Sequence, residues 1–395
     1  MSHLVSFAPT RYARRRRGAI TVLAAIMMTA MMVMIVFAVE VGYLYVVRGQ
    51  LQNAADAAAL AAAWDLMDED RFQGEAAGAF ATARERARKY ANMNLVLGVG
   101  CDVPDNPWNQ PDADLVLGRL NDPANHHETL SVTGDPAQFN SVLVRVRRDS
   151  QANGRVPLFF SRLLGIDSAP LTAEAVASFE DNLVGFSRPA ITPSSAVIPF
   201  AVEQREFESL LDGIGPDSWT FDKSTRQLSL GGDNVPEMNL YPDQTGGDQG
   251  KSGVTPGNFG TVVIGGTSGA STLVRQLQTG LSKADLAYHG GALQLSETDG
   301  TLELSGNTGL SAGMEGALDD LVGETRIILL YRDVVDPGAN ANFTITGFAG
   351  VRILDVDLHG KDKHVTIQPA HIPTSGIVGN VGSSYFISPR PRLVR

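Results

Sequence analysis

The first feature of the chain is a long apolar run near its N-terminus. Residues 18–39 contain no charged side chain, so a helix formed by them would be apolar on every side. At a rise of 1.5 Å per residue such a helix spans roughly 33 Å, which is enough to cross a hydrocarbon core of about 30 Å. The run exceeds the ~7–15 residues of a signal-peptide core, and no small-residue cleavage motif closes it. The pattern therefore favours an uncleaved transmembrane helix over a cleaved signal peptide.

The charges around this run predict its orientation. A basic cluster that contains Arg14, Arg15, Arg16 and Arg17 precedes it, and no acidic residue accompanies the cluster. Because Arg and Lys are enriched on the cytoplasmic side of membrane helices, we expect a single-pass protein of the cell (inner) membrane. Its N-terminus would be cytoplasmic and the bulk of the chain, after about residue 40, would be extracytoplasmic. Glu40 ends the run, and we expect water at the membrane interface to solvate its carboxylate.

Helical character continues beyond the membrane. Residues 43–67 contain no proline and are rich in alanine, the strongest helix former. Apolar residues recur along one face, where small side chains would let another backbone approach closely. This face consists of Leu44, Val47, Leu51, Ala54, Ala58 and Ala62. It predicts either an assembly face, through which two copies of the chain could also associate over residues 44–62, or packing on the chain's own domain. Periodicity alone does not distinguish the two.

Three sequence elements follow one another here. They are the pair Arg17-Gly18, then Glu40-Val41-Gly42 with Leu44 and Tyr45, then the run from Gln50 to Ala61. Together they resemble the N-terminal signature of the TadE/TadG-like proteins of the Flp (tight adherence) pilus-assembly system. Residues 155–180 look like a later element of that family, with a Pro-x-Phe-Phe segment and an alanine- and valine-rich end.

The resemblance implies a function. It indicates a membrane-anchored extracytoplasmic component of a pilus or secretion apparatus that is not an enzyme. Its partners would be the membrane and other Tad/Flp assembly proteins or pilin-like subunits. The composition is consistent with this, since a net charge of −11 argues against nucleic acid as a main partner.

The chain divides into four predicted parts. They are a basic cytoplasmic segment (1–17), the transmembrane helix and its continuation (18–67), a pilin-like helix-plus-sheet module (68–185) and a strand-rich extracytoplasmic domain (186–395). In the module, the spacing of apolar residues predicts a helix over 71–94, a short helix over 157–165, and strands over 114–120, 141–148 and 171–179. The fold class is α+β.

The C-terminal domain has a weaker pattern. We predict helices over 271–281 and 310–322, and strands over 261–264 and 325–331. Residues 342–372 predict several antiparallel strands that are separated by turns near 347–350 and 360–363, where glycines interrupt the alternation.

Ser311 is the one candidate nucleophile. It lies in Gly309-Leu310-Ser311-Ala312-Gly313, which matches the G-x-S-x-G turn of α/β-hydrolases. However, only 17 residues separate this turn from Gly291, the end of a candidate oxyanion loop, and a parallel sheet does not fit between them. A membrane-anchored surface serine hydrolase that uses Ser311 is therefore the alternative, and we favour a glycine turn with a serine helix cap.

Other residue types that can bind ligands give weaker signals. His359, His364 and His371 are spaced five and seven residues apart, which does not place them on one strand face, so we expect no metal and no cofactor. The Gly- and Asp-rich segment 231–271 leaves a ligand-binding surface module as a third interpretation. Cys101 is the single cysteine, which excludes an intramolecular disulfide. It is either buried or paired between chains.

Overall fold

The computed structural model describes residues 17–67, 76–134, 136–187, 197–240, 258–267, 269–307, 312–335, 341–359 and 363–394. These residues form a mixture of helices and strands, and the predicted α+β class is confirmed. The helices are α1 (Arg17–Asp65), α2 (Ala76–Met93), α3 (Gln204–Leu211), α4 (Ala270–Thr279), α5 (Lys283–Tyr288) and α6 (Glu315–Asp319).

The strands of the first part of the chain are β1 (Leu115–Gly118), β2 (Ser141–Arg148), β3 (Val156–Pro157), β4 (Ser168–Ala169), β5 (Leu171–Ser178) and β6 (Leu183–Phe186). Those that follow are β7 (Val197–Glu203), β8 (Trp219–Asp222), β9 (Gln227–Leu230), β10 (Met238–Leu240), β11 (Phe259–Val262), β12 (Leu293–Gln294), β13 (Leu302–Asn307), β14 (Thr325–Val335) and β15 (Ala341–Asp357). The last are β16 (His364–Pro369), β17 (Ile372–Pro373), β18 (Ile377–Val378), β19 (Ser383–Tyr385), β20 (Ile387–Ser388) and β21 (Arg392–Leu393).

Helix α1 joins the predicted membrane span to its predicted continuation without a break. No proline interrupts it, and alanine dominates its second half. Among the described residues it is the helix that is long and apolar enough to cross a membrane by length and composition. The most apolar part of this helix is not buried inside the protein.

The second half of α1 packs on a small antiparallel sheet. In this sheet β2 lies between β1 and β5, and β2 has the bounds that its alternating valines predict. Helix α1 contacts both β2 and β5, while α2 packs along α1. Strand β21, at the end of the chain, pairs with the free edge of β5, so that Leu393 lies opposite Ala177. The chain therefore returns to its first sheet after forming the C-terminal domain.

The C-terminal domain is built on a closed ring of strands. Each of β7, β14, β15, β13 and β11 pairs with the next, and β11 pairs again with β7. All of these pairings are antiparallel except that of β7 with β14. The ring closes because β15 pairs with both β13 and β14. The last part of β15 also pairs with β16, which lies outside the ring.

In the C-terminal part of the chain, two elements differ from the sequence prediction. The turn expected near residues 347–350 was wrong, because β15 runs straight through both glycines. A Cβ atom at Gly350 would lie 2.5 Å from the carbonyl oxygens of Ala370 and Phe386, and one at Gly347 would lie 2.4 Å from that of Ser383. These glycines let neighbouring backbones approach the strand rather than turn it. The helix expected over 310–322 is also shorter: α6 follows one 3₁₀ turn, Ala312–Met314.

Candidate membrane-proximal site

Glu40 lies where α1 passes from its uncovered first half to the half that packs on protein. Its side chain is 4% exposed. One carboxylate oxygen accepts hydrogen bonds from the backbone N–H groups of Phe159 at 2.8 Å and Phe160 at 3.0 Å. The other accepts one from the Ser161 N–H at 2.9 Å, and the Ser161 hydroxyl donates to it as well. The expectation that water solvates Glu40 was wrong, because these four donors take the place of water around a covered carboxylate.

The donors belong to a short segment between β3 and β4, which we call the apolar loop (residues 159–166). A 3₁₀ helix, Ser161–Leu164, forms its centre, and Gly165 closes it in the left-handed region with φ of 81°. The helix that was predicted over 157–165 is thus a single 3₁₀ turn. Ring contact strengthens the attachment to α1, since Phe159 meets Tyr43 edge to face with centroids 5.2 Å apart.

The outer surface of the apolar loop is hydrophobic and uncovered. Its exposed side chains are Phe159 (63% exposed), Phe160 (38%), Leu163 (87%), Leu164 (82%) and Ile166 (54%). An apolar cluster of this kind on a protein surface marks a contact with a membrane or another protein. Its one basic residue, Arg162, pairs with Asp167 at 3.2 Å, just beyond the loop.

The Gln-Leu-Gln element that follows on α1 ties this helix to the rest of the module. The Gln50 side-chain oxygen accepts a hydrogen bond from the Leu97 N–H at 2.9 Å. Gln52 donates to the Glu174 carbonyl on β5 at 2.9 Å and to the Asp56 carboxylate at 2.8 Å. Both glutamines therefore serve contacts within the chain.

The apolar stripe on α1 faces the interior of the protein. Val47, Leu51, Ala54, Ala58 and Ala62 are each 0% exposed and belong to one core cluster with residues of α2 and the first sheet. Leu44 is half-buried against the same cluster. Of the two interpretations that periodicity left open, the structure favours packing on the chain's own domain. The monomer already covers these side chains, and an assembly face over residues 44–62 stays a prediction.

Comparison with known families gives two matches, both in the first half of the chain. Residues 18–65 match the model described as putative Flp pilus-assembly TadE/G-like. Residues 61–177 match the model described as putative Tad-like Flp pilus-assembly. Residues 18–177 are Tad-like. The resemblance stated from the sequence is thus confirmed over this stretch, and it supports a role in pilus assembly. Searches of curated proteins and of solved structures find no match to the chain.

The site around Glu40 joins the two Tad-like stretches. Glu40 belongs to the first matched stretch, and the Phe159–Ser161 donors belong to the second. Sequence reasoning noted both elements but missed that they meet. The available signal was their shared membership in one family resemblance, since two elements of one family more than 100 residues apart are candidates for contact.

Several of the remaining candidate residues lie outside the part of the chain that the structure describes. Arg14, Arg15 and Arg16 of the topology signal lie outside the described residues, and Arg17 is the first residue of α1. Ser311 also lies outside them, so the geometry of a Ser311 nucleophile has no description. The Gly- and Asp-rich segment is described only in part, because residues 241–257 and 268 lie outside as well.

The three histidines have three different partners. His359 Nδ1 is 2.7 Å from Glu315 Oε1, His364 is 3.3 Å from Asp355, and His371 Nε2 is 2.9 Å from the Ser388 hydroxyl. His359, Glu315 and Asp357 place one potential ligand atom each within 4.8 Å of one another. Of these three residues, Asp357 and His359 are exposed to solvent.

Cys101 lies in the core behind α1. Its side chain is 1% exposed. Burial raises the pKa of its thiol, although nearby Arg148 acts in the opposite direction. A thiol that is covered and protonated is a poor partner for disulfide formation between chains, so the buried alternative agrees with the structure.

Proposed function

We propose that this protein is a membrane-anchored extracytoplasmic component of a Tad/Flp-type pilus or secretion apparatus. The observation that carries the proposal is the change along α1 at Glu40. Before Glu40 the helix is apolar and uncovered, as a membrane span requires. After Glu40 the same helix forms the core of a folded module, and this division falls within the Tad-like stretch. The protein acts through binding and not through catalysis.

The orientation that we propose follows from the arginines before the span. Residues 1–17 lie in the cytoplasm, and the module and the C-terminal domain lie outside it. The helix fixes the module to the membrane surface because α1 is continuous through the boundary. Other Tad/Flp assembly proteins or pilin-like subunits then meet the module at the membrane.

We propose that a partner subunit's helix contacts the outward face of α1 just beyond Glu40. This face, opposite the buried stripe, contains Gly42, Tyr45, Val46 and Gly49, all of them exposed. Glycine inside a helix costs roughly 1 kcal/mol relative to alanine. A Cβ atom at Gly42 or Gly49 would meet nothing within 4 Å, so the fold of the monomer does not require glycine at either position. Close approach of another helix would explain both, as small residues do in membrane helices.

Cysteine accessibility tests the orientation. In a Cys101→Ala background, a cysteine at Gln151, which is exposed on a loop after β2, should react with a membrane-impermeant maleimide on spheroplasts. A cysteine at Ser2 should react only after lysis. The opposite order of labelling, or equal labelling of both sites before lysis, would contradict the proposed topology.

Piliation tests the function. A strain that lacks the gene should lose its pili and regain them with the wild-type chain. Gly49→Leu should fold and insert normally but fail to restore piliation, because the leucine blocks the helix contact. Gly78→Leu is the matched control, since Gly78 is an exposed glycine on α2, away from this face. Normal piliation with Gly49→Leu would contradict the proposed contact face. Normal piliation without the gene would contradict the proposed role in assembly.

A further inference from the structure

We propose that the apolar loop (residues 159–166) inserts into the interfacial layer of the lipid bilayer beside α1, as a second attachment of the module to the membrane. This inference rests on the proposed anchoring by α1, because that anchor sets the height of the loop relative to the bilayer. The ligand is a lipid surface, and the contact is formed by side chains of the chain itself.

The position of the loop carries the first step. Glu40 directly follows the span of residues 18–39. Three backbone N–H groups and one hydroxyl of the loop donate hydrogen bonds to its carboxylate. A 3₁₀ helix of four residues is about 8 Å long, so no part of the loop is far from this attachment. The hydrocarbon core is about 30 Å thick, and the headgroup regions bring the bilayer to about 40–45 Å. The loop therefore lies at the depth of the interface.

The composition of its surface carries the second step. Leu163 and Leu164 are more exposed than almost any other large apolar side chain outside the membrane half of α1, at 87% and 82%. They lie in the 3₁₀ helix Ser161–Leu164, and the exposed Phe159, Phe160 and Ile166 flank it in the chain. Transfer of such side chains from water to the acyl boundary is favourable.

Most backbone N–H groups of the loop are already hydrogen-bonded. The N–H groups of Phe159, Phe160 and Ser161 are bonded to Glu40, and those of Leu163, Gly165 and Ile166 are bonded to carbonyls of the loop itself. An unsatisfied backbone group would be costly near hydrocarbon. Arg162 and Asp167 form an exposed ion pair, and a long arginine side chain can extend toward the headgroups while the leucines enter.

Lipid is the occupant that the surroundings favour. The loop is attached at Glu40, where the first half of α1 ends. The most apolar part of that half is not covered by the protein, as is typical of a lipid-facing helix. A loop that lies beside this helix at the level of Glu40 is next to the lipid that surrounds the first half of α1. A partner protein on the loop is the alternative, and the experiment distinguishes it.

Depth-dependent quenching tests the inference on the full chain in phosphatidylethanolamine–phosphatidylglycerol vesicles. In a Cys101→Ala background, single cysteines replace Leu163, Met31 or Leu230 and carry an environment-sensitive fluorophore. Met31 lies within the membrane half of α1, and Leu230, 80% exposed, lies on β9 of the C-terminal domain. Lipids brominated at upper acyl positions should quench the probes at 163 and 31 and leave the probe at 230 unchanged.

Each other result has a defined meaning. If the probe at 31 is quenched and the probe at 163 is no more quenched than the one at 230, the loop inference is overturned. The proposed anchor is then unaffected. No quenching at 31 overturns the proposed anchor itself. A probe at 163 whose emission shifts to the blue without quenching by brominated lipid means that protein covers the loop, which also overturns lipid insertion.

Discussion

The two halves of α1 share one continuous helix and differ in everything around it. Residues 20–39 are exposed on nearly every side, with Ile20, Met28 and Phe37 each more than 60% exposed. Residues 47–63 present one face that is wholly buried against α2, β2 and β5. The boundary is Glu40, whose carboxylate holds the apolar loop.

The difference shows that helix propensity does not decide what surrounds a helix; side-chain size and charge do. The first half has large apolar side chains in all directions, which suits lipid on all sides. The second half concentrates alanine on one face, and α2 meets it with Ala83, Ala87 and Ala91, all buried. Small residues on both helices let the two backbones come close, so the module gains a tightly packed core from short side chains.

We expect the largest loss of stability when a leucine in the buried half of α1 is shortened to alanine. Leu51→Ala removes a wholly buried side chain and should lower the free energy of unfolding of the module by about 2–5 kcal/mol. Leu23→Ala is the control, because Leu23 is 61% exposed in the first half. Denaturant unfolding of the protein in detergent micelles, followed by circular dichroism, measures both. Equal effects would contradict the division of α1.

Overpacking should have the next largest effect. Ala58→Leu places a larger side chain at a 0% exposed position in the core cluster behind α1, and it should destabilise the module by about 1–3 kcal/mol. Ala24→Leu, in the uncovered half, should leave stability unchanged. If the stripe were a free assembly face, Ala58→Leu would reduce association with partners and leave unfolding of the purified protein unaffected.

The junction should give a local effect. Glu40→Gln replaces one acceptor oxygen with an N–H₂ group that faces the loop's own N–H donors, so the apolar loop should detach from α1. Hydrogen exchange at the amides of residues 159–161 should accelerate, while exchange along β2 stays the same. Ser161→Ala removes one of the four donors and should give a smaller change at the same amides. Unaltered exchange in Glu40→Gln would show that Glu40 does not hold the loop.

The smallest effect is expected at the far end of the buried half. Arg86 on α2 pairs with Asp65, the last residue of α1, at 2.5 Å, but the arginine side chain is 47% exposed. Solvent and salt screen such pairs, so Arg86→Ala should cost about 0.2–1 kcal/mol, and less in high salt. A loss above that range would indicate that the end of α1 depends on this charge pair more than on its apolar face.

Local patterns in the sequence predict much of the Tad-like part. The alternation of valines gives the bounds of β2, and the alanine-rich run gives the continuation of α1, because both depend on neighbouring residues. The direction that the stripe faces depends on α2 and a sheet more than 50 residues away. For the same reason the ring of β7, β14, β15, β13 and β11 is not visible in any one segment.

The site around Glu40 shows the same limit. A carboxylate after an apolar run indicates a membrane boundary, and that much follows from the sequence. Its partners lie about 120 residues later, and nothing in their local pattern predicts that their N–H groups are free to bond an acid. At Gly350 the local pattern predicted a turn that does not form. The glycine instead allows two carbonyl oxygens to approach a continuous strand.

The most direct test of the account is a spin-label accessibility scan along α1 in lipid vesicles, with a nitroxide at one cysteine at a time in a Cys101→Ala background. Before Glu40, we predict high collision rates with oxygen at every position and low rates with a water-soluble nickel chelate. After Glu40, nickel collisions should rise and fall with a helical period, with maxima near positions 45 and 49 and minima near 51 and 58. A period that runs through both halves, or oxygen contact that continues past residue 50, would contradict the account.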